Sequence, residues 1–308
     1  MFKAQRKGCD RFEKKRVEKL LACRRIIFEF NINTKLKVKA MRKLGIIDFH
    51  AHIFPEKIAD KAVESIGAYY GVKMVGRGTV EGLIESGKKI GVEKYIVHST
   101  ATKVEQVKSI NDFIYDAVAS TDCLIGFGTL HPDLEDLDAE VERIISMGLK
   151  GIKLHPEFQD FFIDGTDMMP VYKAVEGKLP ILMHMGDENK TSSSPGRLAK
   201  VLDRFPKLTV IAAHLGGYEM WDEAIDCLVG SDIYLDTSSS LFKLDRDKAE
   251  RIIRGHGIHK VLFGTDYPMW SHEEELERFK SLSLSEYEQE LILKENAGKL
   301  LEVFGYVV

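Results

Sequence analysis

The 308-residue chain predicts an α/β fold of the (β/α)8 type, a TIM barrel, beginning at residue 45. Eight short apolar runs, rich in β-branched residues, recur at 45–52, 94–100, 124–130, 149–155, 180–185, 208–215, 233–238 and 260–266. Stretches with charged residues at amphipathic spacing lie between them, the pattern of strands alternating with crossover helices. A doubly wound open sheet would carry a glycine-rich phosphate turn after an early strand, and no GxGxxG or GxxxxGK[ST] occurs.

The expected helices fall at 79–90, 103–120, 135–147, 167–177, 194–204, 218–229, 245–255 and 272–281. The stretch 285–304 reads as a further helix closing over the outside, with Leu291, Leu293, Leu300 and Leu301 as its apolar contacts. Segment 53–78 is longer than a simple loop and is expected to form a lid or pocket wall. Its Tyr69 and Tyr70 either face substrate or pack beneath it. Segment 186–197, GDENKTSSSPGR, is polar with Pro and Gly and is expected to be a mobile substrate loop.

With 44% hydrophobic and 30% charged residues the composition is that of a soluble globular protein, and the net charge of −4 is too mild to point to nucleic acid. No run has the length of a membrane span, and no signal-peptide pattern is present. Cys9, Cys23, Cys123 and Cys227 lack metal-binding spacing and read as free thiols of a reducing compartment, so a cytoplasmic location is expected. Residues 1–43 hold fifteen Lys and Arg against four Asp and Glu, a net of +11 that leaves −15 for the rest. The division expected is a basic N-terminal extension over 1–44, disordered or helical, and a barrel domain over 45–308. Met41 is a candidate initiator, a hypothesis that the N-terminal sequence of protein from its natural source would test.

Candidate chemistry sits at the strand ends: His50 and His52 in IIDFHAHIF, His184 in ILMHMG, His214 in VIAAHLGG and Asp266 in VLFGTDYP. Side chains alternate along a strand, so His50 and His52 should leave one face together, and Phe49 and Ala51 the other. A lone strand-end His is usually a satisfied polar residue. Five such residues closing successive apolar runs point instead to one metal site, because catalytic sites combine imidazoles and a carboxylate with an open position. On the fourth strand Lys153 and His155 share the inward face, with Ile152 and Leu154 outward. Arg197 is a candidate partner for a substrate carboxylate.

Taken in order, FHAHIF, GIKLHPEFQ, MHMG, AHLGG, YLDTSS and GTDYP resemble the amidohydrolase superfamily, in the branch that includes aminocarboxymuconate-semialdehyde decarboxylase-like enzymes. The resemblance covers about residues 45–303 and implies a divalent metal, most often Zn2+, held by His50, His52, His184 and Asp266. His214 matches the residue that polarises metal-bound water or transfers a proton, and Asp266 is its catalytic partner. Two-metal relatives carry a carboxylated Lys or a Glu on the fourth strand. Lys153 therefore either bridges two metals or remains an ammonium that, with His155, binds a substrate carboxylate; the second is favoured, and with it one metal per chain.

The activity implied is hydrolysis of an amide, lactone or ester bond in a small organic substrate by metal-activated water. The alternative is metal-dependent decarboxylation of an aromatic or enoic acid. No nucleic-acid or membrane partner is expected, and a homodimer is left open. Asp236 with the serines of DTSSS, Met269 and Trp270, and His98 and His131 stand as secondary or structural positions.

Overall fold

The computed structural model describes residues 45–306, so the basic extension expected over 1–44, with its Met41 hypothesis, lies outside the described residues. The strands are β1 Ile46–His52, β2 Val92–His98, β3 Leu124–Gly126, β4 Gly128–Thr129, β5 Ile152–Leu154, β6 Ile181–Met183, β7 Val210–Ala212, β8 Tyr234–Asp236 and β9 Val261–Leu262. All pair in parallel, as β1-β2-β3 and as β4 through β9 in chain order.

The two sets form one barrel. At Phe127 the third barrel strand passes from one neighbour to the next, its N–H donating to Val97 O (2.9 Å) while Gly128 N donates to Gly151 O (2.8 Å). Closure comes from Phe49 N to Phe263 O (2.8 Å), Asp266 N to His50 O (2.8 Å) and His52 N to Tyr267 O (2.7 Å). Counting β3 and β4 as one, the eight expected strands are all present, and shorter than their apolar runs.

The helices are α1 Glu56–Tyr70, α2 Val80–Lys88, α3 Val107–Ser120, α4 Leu137–Ser146, α5 Pro156–Gln159, α6 Met169–Val175, α7 Pro195–Arg204, α8 Trp221–Cys227, α9 Arg246–His256, α10 His272–Lys280, α11 Glu286–Glu290 and α12 Asn296–Val303. A π-helical turn, Leu291–Glu295, joins α11 to α12. Thr79, Asp136, Asp245, Ser271 and Ser285 each cap a helix by accepting a backbone N–H, which satisfies an end the helix itself leaves open. No helix among the described residues is long and apolar enough to cross a membrane.

Strand alternation divides the core in two. Ile152, Leu154, Ile181, Met183, Val210 and Ala212 face the helices, whereas Ile47, Phe49, Ile96, Phe127, Leu182, Ile211 and Leu262 fill the interior. One expectation is corrected here: Phe49 points inward with the histidines rather than away from them. The β1–β2 register shifts between Asp48 and Ala51, and such a bulge resets the alternation. A second correction concerns the C-terminal helix. Ala297, Leu300 and Leu301 of α12 pack on the interior cluster, so α12 plugs one end of the barrel instead of lying over its outside.

Phe127 is fully buried, edge-on to Phe49 at 5.8 Å between ring centroids, and a Cβ at Gly151 would stand 2.4 Å from its ring. Phe127→Ala is expected to cost about 3–5 kcal/mol, since the void cannot close around so fixed a ring. A fall in the urea midpoint with an unchanged slope would show it; a loss below about 1 kcal/mol would contradict this packing.

Candidate metal centre

The strand-end residues converge on the floor of a cavity of about 550 Å³ whose lining includes His52, His155, His184, His214 and Asp266. His50 Nδ1 lies 2.8 Å from Asp236 Oδ2, an ionised carboxylate that accepts a hydrogen bond from Nδ1–H and so leaves the ring's lone pair on Nε2. That Nε2 faces His52 Nε2 at 3.3 Å and Asp266 Oδ1 at 3.4 Å, and the latter two are 3.2 Å apart. Three ligand atoms thus form a nearly equilateral triangle. Bonds of about 2.0–2.1 Å in a tetrahedral site require edges of roughly 3.3–3.4 Å, so the triangle has the dimensions of a metal-binding face.

Charge makes the same point. Burial pushes the His52 and His214 imidazoles down to about 4, despite Asp266 nearby, so both are neutral lone-pair donors at pH 7. Burial opposes the charge of Asp266 as well, yet His50, His52 and His214 outweigh it and hold the carboxyl well below its usual range. Electron-rich atoms this close repel unless a cation lies among them.

A second close pair adjoins the triangle. His184 Nδ1 is 2.9 Å from His214 Nε2, while their other nitrogens reach backbone carbonyls: His184 Nε2 to Gly186 O at 2.9 Å and His214 Nδ1 to Ser238 O at 3.0 Å. With an N–H on each carbonyl, both inner nitrogens carry lone pairs. Only a proton or a metal ion makes that contact favourable. The fit to a divalent cation is therefore good on both counts. Among the described residues three further donor groups have metal-binding spacing: His50 with His52 and His98, His50 with His214 and Asp236, and His155 with Glu157 and His184.

The backbone is bent to place these groups. His214 (φ 60°), Ser239 (φ 44°) and Asp266 (φ 58°) all occupy the left-handed region, which costs a non-glycine residue about 1 kcal/mol or more and clusters at functional sites. Tertiary bonds sustain them. Trp221 Nε1 donates to His214 O (3.0 Å), and Ser239 Oγ donates to Asp266 Oδ2 (2.5 Å) while accepting from Trp270 Nε1 (3.0 Å). Asp48 accepts from Thr265 N (3.0 Å), Thr265 Oγ1 (2.6 Å) and His50 N (3.1 Å), tying β1 to the turn that carries Asp266. Gly264 is needed at that crossing, because a Cβ there would sit 2.9 Å from His50 Cβ.

The predicted residues are thus placed unequally. His50, His52 and Asp266 meet directly; His184 joins through His214. Lys153 points inward as expected, but its Nζ is fully buried, 3.2 Å from His50 Nε2, and does not line the cavity. Burial pushes its ammonium down to about 8. His155 lines the cavity and stacks between Phe158 and His184, 3.9 Å from each.

Arg197 is not brought to the site. It pairs with Asp164, donates to Thr191 O (2.7 Å) and lies 4.5 Å from the Phe162 ring centroid, so its carboxylate partner is internal. The loop expected to be mobile is pinned: Ser192 and Ser193 are buried and donate to Glu157 Oε1 at 3.0 and 2.5 Å. His131 is buried, with Nδ1 accepting from Asp133 N (3.2 Å).

Segment 53–78 contains α1 and forms a cavity wall. Tyr70 faces the floor, its hydroxyl 3.0 Å from His155 Nε2, while Tyr69 donates to Asp187 Oδ2 at 2.9 Å. Sequence reasoning missed Asp48, Thr265 and Glu157. The available signal for Asp48 was a charged residue inside an apolar strand.

Known proteins share this fold. Among curated proteins, the decarboxylase orsB of Emericella nidulans is 29% identical over 127 residues, and the match spans about a third of each protein, 34% of this chain and 38% of the relative. Among solved structures, 5-carboxyvanillate decarboxylase LigW from Sphingomonas paucimobilis superposes with a TM-score of 0.62 at 15% identity, over 84% of this chain and 99% of its own. Dihydroxybenzoic acid decarboxylase from Polaromonas sp. JS666, crystallised with manganese and 2-nitroresorcinol, gives 0.63 at 16% identity over 84% and 97%. Likenesses this distant establish the fold. The amidohydrolase family model matches residues 47–303, nearly the whole barrel, and the chain is accordingly an enzyme of the amidohydrolase family.

Proposed function

We propose that the protein is a divalent-metal-dependent decarboxylase of a small aromatic or enoic acid. The observation that carries this reading is the form of the cavity. Its floor is the His/Asp cluster, and beside it stand the parallel rings of Phe158, His155 and His184, tilted by only 10° and 9°, which suit a planar substrate. The relative orsB is a decarboxylase, and the LigW and dihydroxybenzoic acid enzymes share the fold. Hydrolysis, the first expectation from sequence, has less support. Asp266 would be its base, yet Oδ2 already accepts from Ser239 and Oδ1 lies against two imidazoles.

His50, His52 and Asp266 would hold the metal, with His184 the fourth candidate. Imidazole and carboxylate together suit Zn2+ or Mn2+, and the proposal is for one ion per chain, at this triangle. When bound, the ion supplies a Lewis acid for the oxygens of the substrate acid. The chain's own groups do the rest. The ring stack fixes the plane of the substrate, and apolar walls flank it. His214 Nε2, 2.9 Å from His184 Nδ1 and carrying a lone pair at rest, takes up the proton that the substrate acid brings in and returns it to the carbon that bears the carboxylate. The bond to the carboxylate carbon then breaks, CO2 leaves, and its bonding electron pair stays with the substrate.

The test is turnover of hydroxybenzoates by metal-loaded protein in D2O. Release of CO2 with one deuterium on the vacated carbon supports the reading. Oxygen from labelled water in the product, without CO2, would overturn it in favour of hydrolysis.

A further inference from the structure

We infer that the substrate carries a single carboxylate and an uncharged apolar substituent, and that this substituent lies between α1 and α3. The inference rests on the proposed function for the position of the carboxylate at the floor, and on the cavity walls for the remainder of the molecule.

The walls are apolar where the floor is polar. Ile58 and Ile66 on α1, Ile110 and Phe113 on α3, and Phe54 and Met74 beside α1 all line the cavity. No Lys, Arg or Glu lines it among the described residues, and its one Asp is Asp266 on the floor. The uncharged polar residues there are largely engaged by the protein itself. Ser99 Oγ donates to Ile53 O, Thr102 Oγ1 donates to Gln106 Oε1 at 3.0 Å, and Ser109 Oγ donates to Gln106 O at 3.0 Å. The cation that sequence reasoning offered for an anion, Arg197, pairs with Asp164, and Lys153 does not open on the cavity.

Two consequences follow for a ligand. A second carboxylate would find no counter-charge along these walls and would lose part of its water there, and a charge left unpaired as it is desolvated is among the costliest groups a site can accept. An alkyl or aryl group meets the opposite situation, since each buried methylene contributes about 0.8 kcal/mol. There is room for it: about 550 Å³ equals roughly eighteen water molecules at ~30 Å³ each, more than a bare hydroxybenzoate fills.

Calorimetric binding to metal-loaded, full-length protein tests this with 2-hydroxybenzoate, its 4-methyl, 4-propyl and 4-pentyl derivatives, and a hydroxybenzenedicarboxylate, each also assayed for CO2 release. Affinity is expected to rise roughly fourfold per methylene, the factor equivalent to about 0.8 kcal/mol. The dicarboxylate should bind on the order of 100-fold more weakly than the parent acid. Ile110→Arg, which places a cation in the wall, is expected to narrow that gap and flatten the alkyl trend; should it fail to fold, the wild-type series decides alone. Affinity that is flat or falls with chain length, or a dicarboxylate that binds as well as the parent, overturns the inference. If the alkyl acids bind in the expected order and none loses CO2, the inference stands and the decarboxylase reading falls.

Discussion

His52→Ala is expected to lower metal content to a small fraction of one ion per chain and to cut kcat/KM by more than ~100-fold. The reasoning is geometric. His52 Nε2 is one corner of a triangle whose other corners, His50 Nε2 and Asp266 Oδ1, lie 3.3 and 3.2 Å away, and two corners alone leave the ion mostly to water. Asp236→Asn is the comparison, because Asp236 is no corner of that triangle: its Oδ2 accepts from His50 Nδ1 at 2.8 Å and its Oδ1 from His214 N and Ser238 N, each at 3.0 Å. Outer partners of this kind are worth about 10–100-fold in metal affinity or activity. Metal analysis after dialysis, with kcat/KM on the same samples, reads both variants. Full metal content in His52→Ala, or a greater loss in Asp236→Asn than in His52→Ala, would remove His52 from the site.

A different signature is expected for His214→Gln: metal retained, KM nearly unchanged, and kcat reduced by about 10²–10⁴, the usual contribution of a positioned acid or base. Glutamine approximates the size of the ring and can still hydrogen-bond, but cannot take up a proton and return it to the substrate. Loss of metal in this variant would instead make His214 a ligand, since its Nε2 stands only 2.9 Å from His184 Nδ1. Unchanged kcat would exclude it from proton transfer.

The eight strands and most helices were legible because apolar runs and amphipathic stretches report burial directly, and the barrel's two-sided core enforces both patterns. The inward face of Lys153 and His155 followed from strand alternation alone. The same rule misplaced Phe49, because a bulge depends on how two strands pair and leaves no mark in one of them. Arg197 could not be resolved for a related reason: its partner Asp164 is 33 residues distant, and ion pairs between loops are products of tertiary structure. Helix α1 was expected only as a lid or wall, since Gly and Tyr at its C-terminal end blur its period. His155, Glu157 and His184 became a group only when β5 and β6 stood side by side, and Tyr70 joined them from the end of α1.

The plug formed by α12 bears on how the molecule is made. Ala297, Leu300 and Leu301 seal an interior built by strands that all precede them, so a nascent chain with every strand already synthesised still has an open, wettable barrel end. Folding during translation cannot be completed strand by strand; it waits for the last helix, and until then the partly closed barrel exposes the kind of apolar surface that chaperones bind. The histidines stand at the other end, so the plug closes the barrel without entering their cavity.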